Sequence, residues 1–275
     1  MSSPESCLAL YDTFPWSADM DEIYREMKER NLRNIEAGGF KPDTAIATYG
    51  TPEPEDPRRC LALSSFPAVE WTAEGEKLKA RLEADFGGND DFVLFDDNPA
   101  GDEAGQPRRG RLHWTLMQLI SFADYPPTKG GRASAAYGQA IERALDIHGP
   151  FTIQYHGIIA VGTGLVAVGV CDIDINAIRD KLRQELTEAA AQDGGYAFGE
   201  PFVNNIVHST LLRFSGGAGS GEAAEKVLAV AREFEAVPLG VGQVGALQVG
   251  EASWRMMETE LAETPPVHKW QLARQ

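Results

Sequence analysis

Between Arg111 and Thr264 the sequence sets out a series of elements and then repeats it. The first copy opens on a strand-like run, Leu112 to Ile120, and passes through a Gly/Pro loop to a helical stretch about Ser134 to Leu145. Two further strand-like runs follow, Phe151 to Val161 and Leu165 to Cys171. The second copy opens on Ile206 to Phe214 and passes through the Gly-rich Ser215 to Gly221 to a helical stretch, Glu222 to Phe234, with two more strand candidates before Thr264. A helix at about Ile175 to Ala191, with Leu182 and Leu186 on one face, joins the copies. Each copy is thus strand, helix, strand, strand, and the expected fold class is α+β with an internal duplication.

The copies are alike in element order rather than residue by residue, except in their opening strands. These read Leu112-His113-Trp114-Thr115-Leu116 and Val207-His208-Ser209-Thr210-Leu211. Successive strand side chains point to opposite faces, so each His shares a face with the Thr two residues on, while leucines, valine and tryptophan fill the other. With an approximate twofold between the copies, the two pairs face one another across a cleft.

Two imidazoles and two hydroxyls suit phosphodiester chemistry. One imidazole takes a proton from water and the other gives one to the departing ribose oxygen, while the threonines hold the non-bridging oxygens as charge builds on them. Imidazole has an ordinary pKa near 6.5, which lets one copy be neutral and the other charged near neutrality and predicts a bell-shaped pH dependence. The expected enzyme is a metal-independent phosphodiesterase acting on a ribose cyclic phosphate or a related diester. The alternative is a catalytically weak module of the same fold that binds nucleotides or RNA ends.

The paired His-x-Thr-Leu motifs resemble those of the 2H phosphoesterase superfamily, which includes 2',5' RNA ligase-like proteins and cyclic nucleotide phosphodiesterases. The resemblance covers about Leu112 to Thr264. It implies a two-lobed, duplicated fold with antiparallel sheets and flanking helices around a central cleft, both motifs on central strands, and His113, Thr115, His208 and Thr210 as the catalytic set. The substrates it implies are 2',3'-cyclic phosphate or 2',5'-phosphodiester bonds of nucleotides or short RNA.

Residues 1–110 then form an N-terminal extension contributing to the fold, and 111–275 the duplicated core. Within the extension, apolar residues at Met20, Ile23, Tyr24, Met27, Leu32 and Ile35 predict an amphipathic helix from Ala18 to Ala37 that stops at Gly38-Gly39. Prolines break up Phe40 to Arg59, with Thr44 to Tyr49 a short strand candidate. Thr72 reads as the N-cap of a helix running to Phe86, closed by Gly87-Gly88, and Phe92 to Phe95 as a strand. The acidic, Gly/Pro-bearing stretch from Asp96 to Gly110 is expected to be a mobile loop.

Other residues are candidates to contact substrate. Arg213, five positions after His208, suits a phosphate, although strict alternation puts it on the opposite face. The first copy has Gln118 at that place. Lys129 and Arg132, and the glycine run Gly216 to Gly221, offer charge or backbone amides. Tyr155 and His156 are candidates to line the cleft and stack on a base, but His156 has no companion motif and a structural role is the favoured reading. Gly162-x-Gly164-x-x-Ala167 precedes a strand rather than a helix, which makes it a hairpin turn and not a dinucleotide site, and Gly240-x-Gly242-x-x-Gly245 occupies the matching place in the second copy. No cofactor is expected, and no metal, since the pattern lacks the three protein ligands of a catalytic zinc.

A net charge of -16 disfavours long nucleic acids, whose affinity comes mainly from lysine and arginine, and leaves a small nucleotide or short oligonucleotide as partner. Cys7, Cys60 and Cys171 are scattered and read as free thiols. Met1 to Trp16 has neither the basic start nor the apolar run of a signal sequence, and no stretch reaches the length of a membrane span, so the expected location is the cytoplasm.

Overall fold

The computed structural model describes residues 18–43, 59–97, 109–120, 130–145, 149–192, 206–216, 221–253 and 268–272. Among these are five helices: α1 (Ala18–Gly38), α2 (Ala73–Phe86), α3 (Gly130–Ala144), α4 (Ile175–Gln192) and α5 (Glu222–Glu233). The strands are β1 (Arg59–Ser65), β2 (Ala68–Trp71), β3 (Phe92–Asp96), β4 (Arg109–Arg111), β5 (Trp114–Ile120), β6 (Phe151–Val161), β7 (Gly164–Cys171), β8 (Val207–Phe214), β9 (Pro238–Val244), β10 (Ala246–Ser253) and β11 (His268–Gln271). The strand candidate Thr44 to Tyr49, most of the acidic stretch after Asp97, and Cys7 lie outside the described residues. Where that stretch returns, as Arg109–Arg111, it is a strand rather than a loop.

Local chemistry sets α2. The Thr72 hydroxyl accepts from the Gly75 amide at 3.0 Å and donates to the Pro238 carbonyl at 2.7 Å, so one side chain caps the helix and ties it to β9. A side chain at Gly75 would come within 2.0 Å of the Leu239 carbonyl oxygen, and this close approach holds the helix start on β9. Leu78, Leu82 and Phe86, one turn apart, form the buried face.

The fold is α+β, built on a curled and largely antiparallel sheet. Nine strands follow one antiparallel path, β11-β10-β1-β5-β8-β7-β6-β9-β2. β3 lies antiparallel along the far end of β8, and β4 lies parallel to β3. One half of the path (β11, β10, β1, β5) meets the other (β8, β7, β6, β9, β2) at the pair Trp114 and Ser209.

The copies are interleaved in this path. The first copy's last two strands, β6 and β7, form a hairpin whose turn holds Gly162 and Thr163, and they lie beside the second copy's opening strand β8. The second copy's last two strands part: β9 pairs with β6, and β10 with β1. Gly245 alone links them, and a hairpin needs at least two residues in its loop. The second glycine pattern is accordingly no turn. Gly240 and Gly242 stand within β9, where an added Cβ would press on the Glu70 carbonyl oxygen at 2.8 Å or on Pro67 at 3.0 Å.

The N-terminal segment supplies central parts of this frame. β1 fills the place between β5 and β10. Helix α1 lays Tyr24 and Met27 on Ile159, Val166, Val168 and Val170, the alternate residues of one face of β6 and β7. The Tyr24 hydroxyl sits between the carbonyls of Gly169 and Val207 and accepts the Val207 amide at 3.0 Å, clasping the start of β8. On the opposite face, Arg179 of α4 is fully buried and donates to the carbonyls of Leu116 and Ile206, at 3.0 and 2.9 Å. Among the described residues no helix is long and apolar enough to cross a membrane.

Candidate active site

The two motifs meet as neighbours. His113 immediately precedes β5 and His208 is the second residue of β8, and the antiparallel pair Trp114 and Ser209 joins the strands between them. That pair shares the core face. Trp114 is fully buried edge-on against Phe151, and the Ser209 and Tyr155 hydroxyls are 2.8 Å apart. Alternation then puts His113, Thr115, His208 and Thr210 together on the other face. One residue to either side of the Trp114–Ser209 pair, each histidine comes opposite the other motif's threonine. Val166 and Val168, covered by α1, pair with Thr210 and His208, so the N-terminal helix lies beside the motifs on the same face.

Arg213 joins them through a register shift. β7 and β8 pair Val166 with Thr210 but Leu165 with Leu212, which leaves Leu211 as an extra residue. This bulge reverses the facing of the residues beyond it, so Arg213 returns to the face that strict alternation denies it. Its guanidinium donates to the hydroxyls of Thr210 at 3.0 Å and Thr163 at 2.8 Å, and its Nε lies 3.5 Å from the Asp43 carboxylate. Because Thr210 Oγ1 accepts from Arg213, its own proton remains available for another acceptor.

The two imidazoles have different surroundings. The His208 pKa is lowered to about 4, chiefly by burial and then by the positive charges of Arg213, His113 and Arg179. His113 is 8% exposed, and its Nδ1 lies 3.3 Å from the Arg111 carbonyl oxygen. Its ring is tilted against Phe66 at 6.1 Å, and the Arg111 guanidinium stands 4.9 Å over the other aromatic ring of the pair, that of Phe66.

Several sequence candidates fall elsewhere. Tyr155 is fully buried on the core face with its hydroxyl at Ser209, so it is a packing residue and not a wall of the cleft. Burial lowers the pKa of the half-buried His156, against the opposing pull of Asp21 on α1. Lys129 lies outside the described residues, and Arg132 is described for its backbone alone, in the first turn of α3. Of the glycine run, Gly216 and Gly221 are described and the residues between them are not. Cys171 is a buried free thiol. Among the described residues no three His, Cys, Asp or Glu side chains converge as metal ligands.

Two participants escape a reading of the sequence. Ser64 pairs with Thr115 across β1 and β5, is 1% exposed, and has a hydroxyl with no hydrogen-bond partner among the described residues. Tyr24 holds the start of β8. The only signal for Ser64 is the polar end of the run Leu61-Ala62-Leu63-Ser64-Ser65, and Tyr24 reads as any other apolar position of a helix.

No protein-family model and no curated protein matches the sequence. Similar solved structures include TT0787 of Thermus thermophilus, 14% identical, with 78% of this chain and 98% of that one covered and a TM-score of 0.44. E. coli LigT complexed with ATP is 16% identical over 78% of this chain and 99% of its own, with a TM-score of 0.37. The MHV ns2 PDE domain is 14% identical over 68% and 98%, with a TM-score of 0.31.

Proposed function

We propose that this chain is a two-histidine phosphodiesterase that opens 2',3'-cyclic phosphates or cuts 2',5'-linkages at the ends of nucleotides or short RNA. The observation that carries this reading is the convergence of His113, Thr115, His208 and Thr210 on one face of two paired strands, with Arg213 fixed on Thr210. Water attacks phosphorus as the bond to one ribose oxygen breaks, so one proton must leave the water and one must reach the departing oxygen. His208, kept neutral by burial and by Arg213, suits the base that takes the first. His113, whose Nδ1 is held beside the Arg111 carbonyl so that Nε2 is the nitrogen left to meet substrate, suits the acid that gives the second. Thr115 and Thr210 hold the non-bridging oxygens.

This geometry sets two expectations. With the base's pKa lowered from 6.5 to about 4, the base is neutral at every pH above that value, so kcat/KM holds as pH falls from 6.5 to 5 and drops only near 4. A fall beginning at pH 6.5 would give the base's role to an unperturbed imidazole. Arg213→Ala should lower kcat/KM by about tenfold or more, because Thr210 loses the donor that holds its hydroxyl. Arg213→Lys should restore little, because a point charge cannot bridge Thr210, Thr163 and Asp43 together.

Hydrolysis of 2',3'-cyclic mononucleotides and 2',5'-linked dinucleotides, with EDTA present, tests the reading directly. Tight binding without product would favour a nucleotide-binding module instead.

A further inference from the structure

From the motif face, a line of paired residues runs outward to the edge of the sheet. Thr115 of β5 pairs with Ser64 of β1, Ser64 with Gln248 of β10, and Gln248 with Lys269 of β11. Paired residues of antiparallel strands share a face, so these four side chains form one row that begins beside His208. Their strand neighbours Leu63, Leu247 and Val249 are all buried in the core, which places the row on the opposite, polar side. Along it, Thr115 and Gln248 are half-buried and Lys269 is exposed. Ser64, in the floor between Thr115 and Gln248, carries the hydroxyl that has no hydrogen-bond partner among the described residues. A buried hydroxyl without a partner is costly, and a ligand oxygen lying over the row would satisfy it.

We propose that this row is a second-phosphate subsite: a substrate held at His113 and His208 extends across Ser64 and Gln248 and sets another phosphate of the same molecule on Lys269. The proposal rests on the phosphodiesterase reading above. The backbone path from Thr115 to Lys269 is three strand spacings, about 14 Å, and the flexible lysine stem shortens the distance its ammonium must cover. The half-buried Gln248 gives the sugar lying between the two phosphates a polar surface. In a chain of net charge -16, a lysine at the end of a neutral polar row gives an anion a local partner that the protein as a whole does not. The site therefore selects a nucleotide with a second phosphate over a nucleoside that bears only the cyclic one.

The test compares kcat/KM for three substrates: a nucleoside 2',3'-cyclic phosphate, the same molecule with a 5'-phosphate, and a dinucleotide ending in a 2',3'-cyclic phosphate. The wild-type protein should prefer one or both of the last two. Lys269→Gln should cut that preference about fivefold, and Lys269→Arg should keep it. The preference should also weaken with added salt. Loss confined to the 5'-phosphorylated mononucleotide identifies a terminal phosphate as the ligand, and loss with the dinucleotide identifies the next linkage of a chain. No preference in the wild type, or the same preference in Lys269→Gln, overturns the proposal. If no cyclic phosphate is turned over at all, calorimetry with a nucleoside 3',5'-bisphosphate and a 3'-monophosphate separates the two ideas. Tighter bisphosphate binding that Lys269→Gln removes would uphold the row while the chemistry fails, and equal affinities would sink the row.

Discussion

His113→Ala and His208→Ala are each expected to lower turnover of 2',3'-cyclic nucleotides by about 10²- to 10⁴-fold, the contribution of one positioned acid or base. The double variant should be little worse than either single one, because acid and base serve the same bond cleavage and losing one strands the other. Neither change should cost the fold. His208 is half-buried and His113 lies at the mouth of a strand, and the pair that anchors the two strands is Trp114 and Ser209, on the other face. Turnover by both variants, measured beside thermal melting and with EDTA throughout, separates loss of chemistry from loss of structure. A single variant retaining more than about a tenth of wild-type activity would remove that histidine from the reaction.

A fragment beginning near Asp90 is expected not to fold. It would lack α1, β1, β2 and α2. Of these, β1 matters most: it pairs on one side with β5, which follows His113, and on the other with β10. Its removal would leave two long strand edges open inside the sheet, and deletion of α1 would also bare Ile159, Val166, Val168 and Val170. The expected product is aggregated or lacks a cooperative melt, as read by gel filtration and circular dichroism. A soluble, fully active fragment would show that the duplicated region stands by itself.

Regular periodicity made much of this legible in the sequence. The apolar spacing of Tyr24, Met27 and Ile35, the Thr72 cap, and the hairpin at Gly162 all follow from local chemistry, and the structure has α1, α2 and the turn where these signs stand. The shared face of the motif pairs was legible for the same reason. Less was legible wherever the outcome depends on distant partners. Arg59–Ser65 follows a proline-rich stretch, and nothing local marks it as the strand that fills the middle of the sheet. The parting of β9 and β10 comes down to one linking residue, Gly245. Arg213 is the clearest instance at the site: the spacing from His208 gives the wrong face, and only the extra residue at Leu211, visible in the pairing of β7 with β8, corrects it.

The clasp of Tyr24 on Val207 bears on when the motif face is completed. The two residues are 183 positions apart, so their contact closes a loop that spans most of the sequence. Contacts of such separation are slow to form, because the entropy of closing the loop is lost before the contact compensates for it. The helix that makes the clasp leaves the ribosome well ahead of β8 and must wait for it while the strands between them are made. The end of β8 that carries His208 is therefore expected to settle with the completed fold rather than ahead of it.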